Sequence, residues 1–155
     1  MARTCVCGNA TRARCAECTD GVRTRARELA VRDVLAAHDS TAGFVWNARA
    51  RGTAYRPDFL WVFPDACVML EVDEGAHSGY DEDAERARER EICAALGRPV
   101  RVVRMLLPRA ITASEVARAA ERLVPTLACR IAEAQEYGSR KKNPIRTRVQ
   151  TEIEG

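Results

Sequence analysis

The chain has 155 residues, 25 of them basic and 22 acidic, so its formal net charge is only +3. This length predicts one domain of ordinary size with a small appendage. No stretch approaches the roughly 18 to 20 uninterrupted apolar residues of a membrane span, and the first residues contain no apolar signal-peptide core. We therefore expect an intracellular protein, cytoplasmic or nuclear, with no membrane partner. Lys141 and Lys142 are the only lysines among the basic residues.

Four of the seven cysteines lie close together near the N-terminus. A Cys-x-Cys pair and a Cys-x-x-Cys pair, seven residues apart, contain Cys5, Cys7, Cys15 and Cys18. Because no secretory signal precedes them, disulfides are not expected, and four thiolates at this spacing suit one tetrahedral zinc ion. Four thiolates leave no open coordination position, so residues 1–22 are predicted to form a structural zinc knuckle. The alternative is a flexible terminus whose cysteines are coincidental.

The remaining pattern of apolar residues and helix breakers predicts the order α-β-β-β-α-β, followed by a C-terminal helix. The predicted elements are a helix from Thr24 to about His38, strands at 44–48, 55–63 and 67–73, a helix at 81–96 and a strand at 100–106. A capping-box pattern at 112–115 begins the last helix, which Pro125 should kink or divide before Tyr137. The two strands joined through a helix should be parallel, with a right-handed crossover.

These elements assign residues 23–137 to one α/β domain with a mixed sheet. Residues 138–155 are polar and basic and are predicted to be a disordered tail. The three cysteines outside the N-terminal group, Cys67, Cys93 and Cys129, lie in apolar surroundings and are expected to be small buried side chains.

Acidic residues on the second and third predicted strands are the most informative feature of the domain. Asp58 lies among aromatic residues, and Glu71 and Asp73 share one strand face because side chains alternate. If the hairpin closes symmetrically about Pro64-Asp65, Asp58 lies opposite Glu71 with Cβ atoms roughly 5 Å apart. Two such carboxylates repel unless a cation lies between them, and Mg²⁺ or Mn²⁺ is the expected ion. The alternatives are a one-residue register slip, which would separate the two carboxylates, or an edge strand with incidental acids.

His77 follows these acids in a loop bordered by Gly75 and Gly79. Ligands tend to bind at the carboxyl ends of parallel strands, where this loop is predicted to begin. An imidazole there could accept a proton from a metal-bound water. The alternative is an ordinary surface histidine.

An acid after a proline on one strand, then Glu-x-Asp on the next, resembles the PD-(D/E)XK nuclease superfamily. The run LEVDEGAHSGYD, followed by an arginine-rich helix and an apolar strand, is similar to the very-short-patch-repair-type endonuclease branch. The resemblance covers roughly residues 24–107 and does not include the cysteines or the tail. It implies a restriction-endonuclease-like fold and a metal-dependent DNA endonuclease. A cysteine-rich segment before such a core is also similar to proteins encoded by large DNA viruses.

The resemblance implies a role for each residue that matches the family motif. Asp58 matches the metal-binding aspartate, Glu71 matches the acid of the (D/E)XK element, and His77 matches the histidine of the branch. Asp73 occupies the position of the superfamily's lysine and is expected to be a further magnesium ligand or a water-positioning acid. No lysine precedes residue 141. His77 is therefore the candidate base, and Arg86 and Arg88 are the candidate phosphate clamps.

Three further arginines around the first hairpin turn, Arg49, Arg51 and Arg56, are expected to contact DNA phosphates. A homodimer would allow both strands of a duplex to be cut. Two other functions stay open at this point. The core could be catalytically silent, with the zinc knuckle holding nucleic acid or a protein, or the chain could be a zinc-stabilised structural protein.

Overall fold

The computed structural model describes residues 16–47, 49–50, 52–74, 81–108, 110–138 and 152–153. In chain order the elements are α1 (Ala16–Ala37), β1 (Val45–Trp46), β2 (Phe59–Val62), β3 (Cys67–Glu74), α2 (Glu82–Leu96), β4 (Val100–Leu107), α3 (Ala113–Glu136) and β5 (Glu152–Ile153). The predicted α-β-β-β-α-β order and the C-terminal helix are confirmed. The strands form one mixed sheet in the order β1-β2-β3-β4-β5. The pairs β1–β2 and β2–β3 are antiparallel, and β3–β4 and β4–β5 are parallel.

The hairpin of β2 and β3 has the register that the sequence predicts. Phe59 pairs with Leu70 and Val62 pairs with Cys67. The amide of Phe63 donates to the carbonyl of Ala66 at 2.9 Å, which closes the turn. β3 has strands on both sides, so the alternative of an acidic edge strand is wrong.

Helices cover both faces of the sheet. α1 and α3 pack on one face and bury the larger core, whose aromatic members are Phe59 and Trp61. α2 contributes Ile92 to a smaller core on the other face, together with Leu60 and Met69 of the strands. The two cores take alternate residues of each strand, as the pleat of a sheet requires. This alternation decides which side chains can meet under α2.

Helix α1 and strand β2 differ in extent from the prediction. α1 begins at Ala16, eight residues before Thr24, because only Gly21 and no proline interrupts this stretch. β2 begins at Phe59 rather than Tyr55. Pro57 has no backbone N–H to donate to the hydrogen bonds between strands, which favours a strand that begins after Pro57.

The last helix is continuous through Pro125 and is not divided. Pro125 is exposed, so the carbonyl that loses its helical partner faces solvent and not the core. The predicted capping box is confirmed, with Thr112 and Glu115 bonding reciprocally. His38, directly after α1, lies 2.8 Å from the Glu121 carboxylate and joins α1 to α3.

Two smaller predictions need correction. Cys67 is fully buried as expected, and burial raises the pKa of its thiol, but Cys93 is only half-buried and Cys129 is exposed on α3. Within the predicted tail, Glu152–Ile153 form a short strand beside Arg104 and Met105. This pairing gives hydrogen-bond partners to backbone groups at the edge of the sheet. The polar composition of the segment does not indicate that it forms a strand. The other predicted tail residues, 139–151 and 154–155, lie outside the described part.

The start of α2 depends on a cap that the sequence analysis did not identify. The Asp81 carboxylate accepts from the amides of Asp83 at 3.0 Å and Ala84 at 3.2 Å. We expect Asp81→Ala to lower the free energy of unfolding by about 1 kcal/mol, because these amides lose their acceptor. Urea denaturation would measure this. Glu91→Ala, which removes the same charge from an exposed position within α2, should change stability by less than about 0.5 kcal/mol, and an equal loss in both variants would contradict the capping role.

Candidate functional site

Charged side chains gather on the α2 side of the sheet, and we call this group the acid face. It consists of Asp58, Glu71, Asp73, Glu85 and Glu89 with Arg88 and Arg104. Met69 of β3 faces α2. Glu71 and Asp73 follow it by two and four residues, and because side chains alternate along a strand, both point to the same side as Met69. They lie in the carboxyl-terminal half of β3, where the parallel pair with β4 also ends. This is the sheet edge at which ligands bind in many α/β proteins.

Asp58 is fixed to the strand that contains Glu71. Its Oδ2 accepts from the amide of Val72 at 2.7 Å, directly beyond the last ladder pair, Phe59 with Leu70. The next position in this register places Asp58 across from Glu71, and the negative charge of Asp58 acts on Glu71. The structure therefore brings together the two acids that the sequence predicts to be neighbours.

Glu71 is a buried acid with only 6% of its surface exposed. Burial raises its pKa from an ordinary value near 4.5 to about 8, and the charges of Asp58 and Asp73 act in the same direction. The guanidinium groups of Arg88 and Arg104 lower this pKa but do not offset burial. Burial is therefore the main cause of the raised pKa of Glu71, and the two neighbouring carboxylates add to it.

Arg88 contacts Glu71 from α2. Its Nη2 lies 3.0 Å from Glu71 Oε1, and its Nη1 lies 3.6 Å from Glu85 Oε2. The guanidinium carbon is 5.3 Å from the centre of the Tyr55 ring, which is cation–π distance. Arg88, predicted as a DNA contact, is therefore held inside the candidate site.

Arg104 is the most buried of three acid-face residues that the sequence does not predict, the others being Glu85 and Glu89. It is 7% exposed, and in the parallel ladder it pairs with Glu71. Its Nη1 lies 2.9 Å from Asp73 Oδ2, its Nη2 lies 2.6 Å from Glu85 Oε2, and Glu89 is 3.8 Å away. The available signal was an arginine within the otherwise apolar segment Val102–Leu107, in phase with Val102 and thus facing α2.

The chemistry of the acid face fits a hard divalent cation. Asp58 and Glu71 offer carboxylate oxygens, and five carboxyl groups surround two guanidinium groups. Mg²⁺ binds through one or two carboxylates and keeps several waters. Within the described part of the chain, no group of three or more histidine, cysteine or acidic side chains is placed so that it could hold a metal ion. Asp73, predicted as a further ligand or a water-positioning acid, accepts a hydrogen bond from Arg104 Nη1 at 2.9 Å.

The other predicted site residues are dispersed. Arg49 and Arg56 are exposed, and Arg86 is exposed and pairs with Glu82 at 3.0 Å, as its i,i+4 spacing predicts. His77 and Arg51 lie outside the described residues, as do three of the four predicted zinc ligands, Cys5, Cys7 and Cys15. The fourth, Cys18, lies in the first turn of α1.

Among the described helices, none has the length and apolar character needed to cross a membrane. No protein-family model, curated protein or solved structure matches the chain.

Proposed function

We propose that the chain is a hydrolase, a divalent-metal-dependent DNA endonuclease that cleaves phosphodiester bonds. The observation that carries this proposal is the convergence of Asp58 and buried Glu71 on one sheet face. A buried acid next to a second, half-buried acid is unfavourable unless a partner or a function compensates the pair. The resemblance of residues 24–107 to the PD-(D/E)XK superfamily supports the same assignment.

In this proposal Asp58 and Glu71 hold Mg²⁺ or Mn²⁺. The bound ion supplies Lewis-acid polarisation of a phosphoryl oxygen and a metal-bound water of lowered pKa. Arg104 holds Asp73 at 2.9 Å and fixes its orientation beside Glu71, so Asp73 acts as a positioning acid and not as a direct ligand. His77 stays the predicted base.

The lysine that the superfamily places near these acids has two roles, orienting water and stabilising phosphate charge. Arg104 supplies a permanent positive charge near the same acids from the neighbouring strand, but arginine does not give up its proton. A guanidinium can stabilise charge and bind phosphate oxygens, so only the second role passes to arginine. The exposed Arg49 and Arg56 are proposed to contact the DNA backbone, and a homodimer is proposed for cutting both strands. The zinc knuckle of Cys5, Cys7, Cys15 and Cys18 is proposed to be structural.

The proposal is tested by a plasmid-nicking assay with Mg²⁺ or Mn²⁺ and with EDTA. We expect the wild-type chain to nick or linearise DNA only when metal is present, and Asp58→Asn to lose this activity. Arg118→Met, an exposed substitution on α3, is the matched control and should cleave as the wild type does. Absence of cleavage on duplex, mismatched, branched and single-stranded DNA would contradict the proposal.

A second candidate function is a catalytically silent module that binds nucleic acid or protein. It is favoured by one observation, that Arg88 and Arg104 already pair with Glu71 and Asp73. Such pairing neutralises acids without a metal. Salt-dependent DNA binding without cleavage would support this function, and the absence of both would favour a structural protein.

A further inference from the structure

Arg88 lies between a buried acid and solvent. Its side chain is 20% exposed, whereas that of Glu71, 3.0 Å away, is 7% exposed. Glu71 belongs to β3, which is paired on both sides, so its backbone is fixed. Arg88 belongs to α2 and reaches the acid through a long side chain with several rotatable bonds. Of the two partners, Arg88 is the one that can move.

Arg88 already binds the carboxylate that a cation on Glu71 would use as a ligand. Arg88 donates to Glu71 Oε1 on the side that faces α2. A divalent ion bound to the same carboxylate would stand within a few ångströms of the guanidinium, and like charges at this distance repel strongly where water is scarce. Glu85, 3.6 Å from Arg88 Nη1, and the Tyr55 ring offer the guanidinium alternative partners.

We propose that Arg88 is the resident hydrogen-bond partner of Glu71 in the metal-free protein and that a divalent cation binding at Asp58 and Glu71 displaces it. This inference rests on the metal site of the proposed function. Displacement leaves the guanidinium beside the site, held by Glu85 and Tyr55, where it can bind a substrate phosphate. Metal binding and phosphate binding are thereby linked through one side chain.

The first test measures Mn²⁺ affinity by isothermal titration calorimetry in the absence of DNA. Arg88→Met should bind Mn²⁺ about tenfold more tightly than the wild type, because the competing cation is gone. The matched control is Arg90→Met, which removes the same charge from an exposed position two residues along α2 and should change the affinity by less than about twofold. An unchanged or weaker affinity of Arg88→Met, an equal gain in both variants, or no Mn²⁺ binding to any of them would overturn the inference.

A second measurement uses the wild-type fold and so does not depend on the stability of Arg88→Met. The arginine Nε–Hε NMR signal of Arg88, assigned by its disappearance in Arg88→Lys, should shift on addition of Mg²⁺, while that of Arg90 should not. An Arg88 signal unchanged at saturating Mg²⁺ would contradict displacement. Neither measurement uses cleavage. If the chain cuts DNA but Arg88 does not respond to metal, only the inference fails, and if Arg88 responds but DNA is not cut, only the proposed activity fails.

Discussion

Glu71→Gln should reduce metal-dependent cleavage by about a thousandfold or more, because a neutral amide is a much weaker ligand for a hard cation than a carboxylate. The substitution keeps the size of the side chain and an oxygen that can accept from Arg88. The loss is therefore expected in the rate and not in folding. Cleavage rates on supercoiled plasmid measure it. Glu91→Gln, on the exposed side of α2, should retain wild-type activity, and a Glu71→Gln variant that cleaves normally would show that the metal lies elsewhere.

The same variant should change how stability depends on pH. The pKa of Glu71 is raised by burial and by Asp58 and Asp73, against the opposing charges of Arg88 and Arg104, so the folded state binds this proton more tightly than the unfolded chain does. The resulting stabilisation is fully present below about pH 4.5 and is lost as pH rises through about 8. Each unit of pKa difference corresponds to about 1.4 kcal/mol, so a rise from 4.5 to about 8 makes the contribution of Glu71 on the order of 5 kcal/mol.

Urea denaturation of both proteins without metal, between pH 5 and pH 8.5, tests this linkage. The free energy of unfolding of the wild type should fall relative to that of Glu71→Gln as pH rises, because glutamine cannot ionise. Other groups titrate equally in both proteins and cancel in the difference. Parallel curves for the two proteins would mean that Glu71 ionises at its ordinary pKa in the folded state.

Arg104→Met should lower the free energy of unfolding by about 3 kcal/mol, the low end of the range for breaking a buried ion pair. The guanidinium is 7% exposed and holds the carboxylates of Asp73 and Glu85, which lose their compensating charge. Both acids keep about a quarter of their side-chain surface exposed, and partial hydration limits the loss.

Arg101→Met is the matched control on the same strand. Arg101 is 30% exposed and pairs with Glu133 on the other side of the sheet, so its loss should cost no more than about 1 kcal/mol. Arg104→Lys should fall between wild type and Arg104→Met, because an ammonium keeps the charge but cannot bridge two carboxylates in the fixed geometry of a guanidinium. Equal stabilities of Arg101→Met and Arg104→Met in urea would show that the Arg104 pairs contribute little.

The parts of the site that the sequence predicts are those set by local geometry. The register of Asp58 and Glu71 follows from the two-residue period of a strand and from a short turn, and both can be read along the chain. The pairing of Arg86 with Glu82 is a neighbour relation within one helix. The contacts of Arg104 join β4 to β3 and α2, and such contacts depend on how a helix lies over a sheet. Arg104 is hard to identify from the sequence because a buried strand is predicted from its many apolar residues, and the neighbours of Arg104 are apolar.

The same distinction explains the errors in the helices. Pro125 is unfavourable within a helix as a matter of local preference, yet α3 continues because its apolar face packs against the sheet and Pro125 faces water. Thr24 resembles an N-cap, but a cap is needed only where helical hydrogen bonds end, and α1 continues to Ala16. In α3 the packing against the sheet outweighed the local preference of Pro125, and in α1 the continuation of the helix removed the need for a cap at Thr24.

The register of the β2–β3 hairpin has a consequence for how this site can change during evolution. Asp58 and Glu71 are neighbours because equal numbers of residues lie on each side of the turn at Pro64 and Asp65. Substitutions within the turn leave that count intact, so the turn can vary in composition while the two acids stay together. Insertion or deletion of one residue there would shift one strand by one position and send one acid to the opposite face. The site therefore tolerates substitutions in the turn but not the insertion or deletion of a residue.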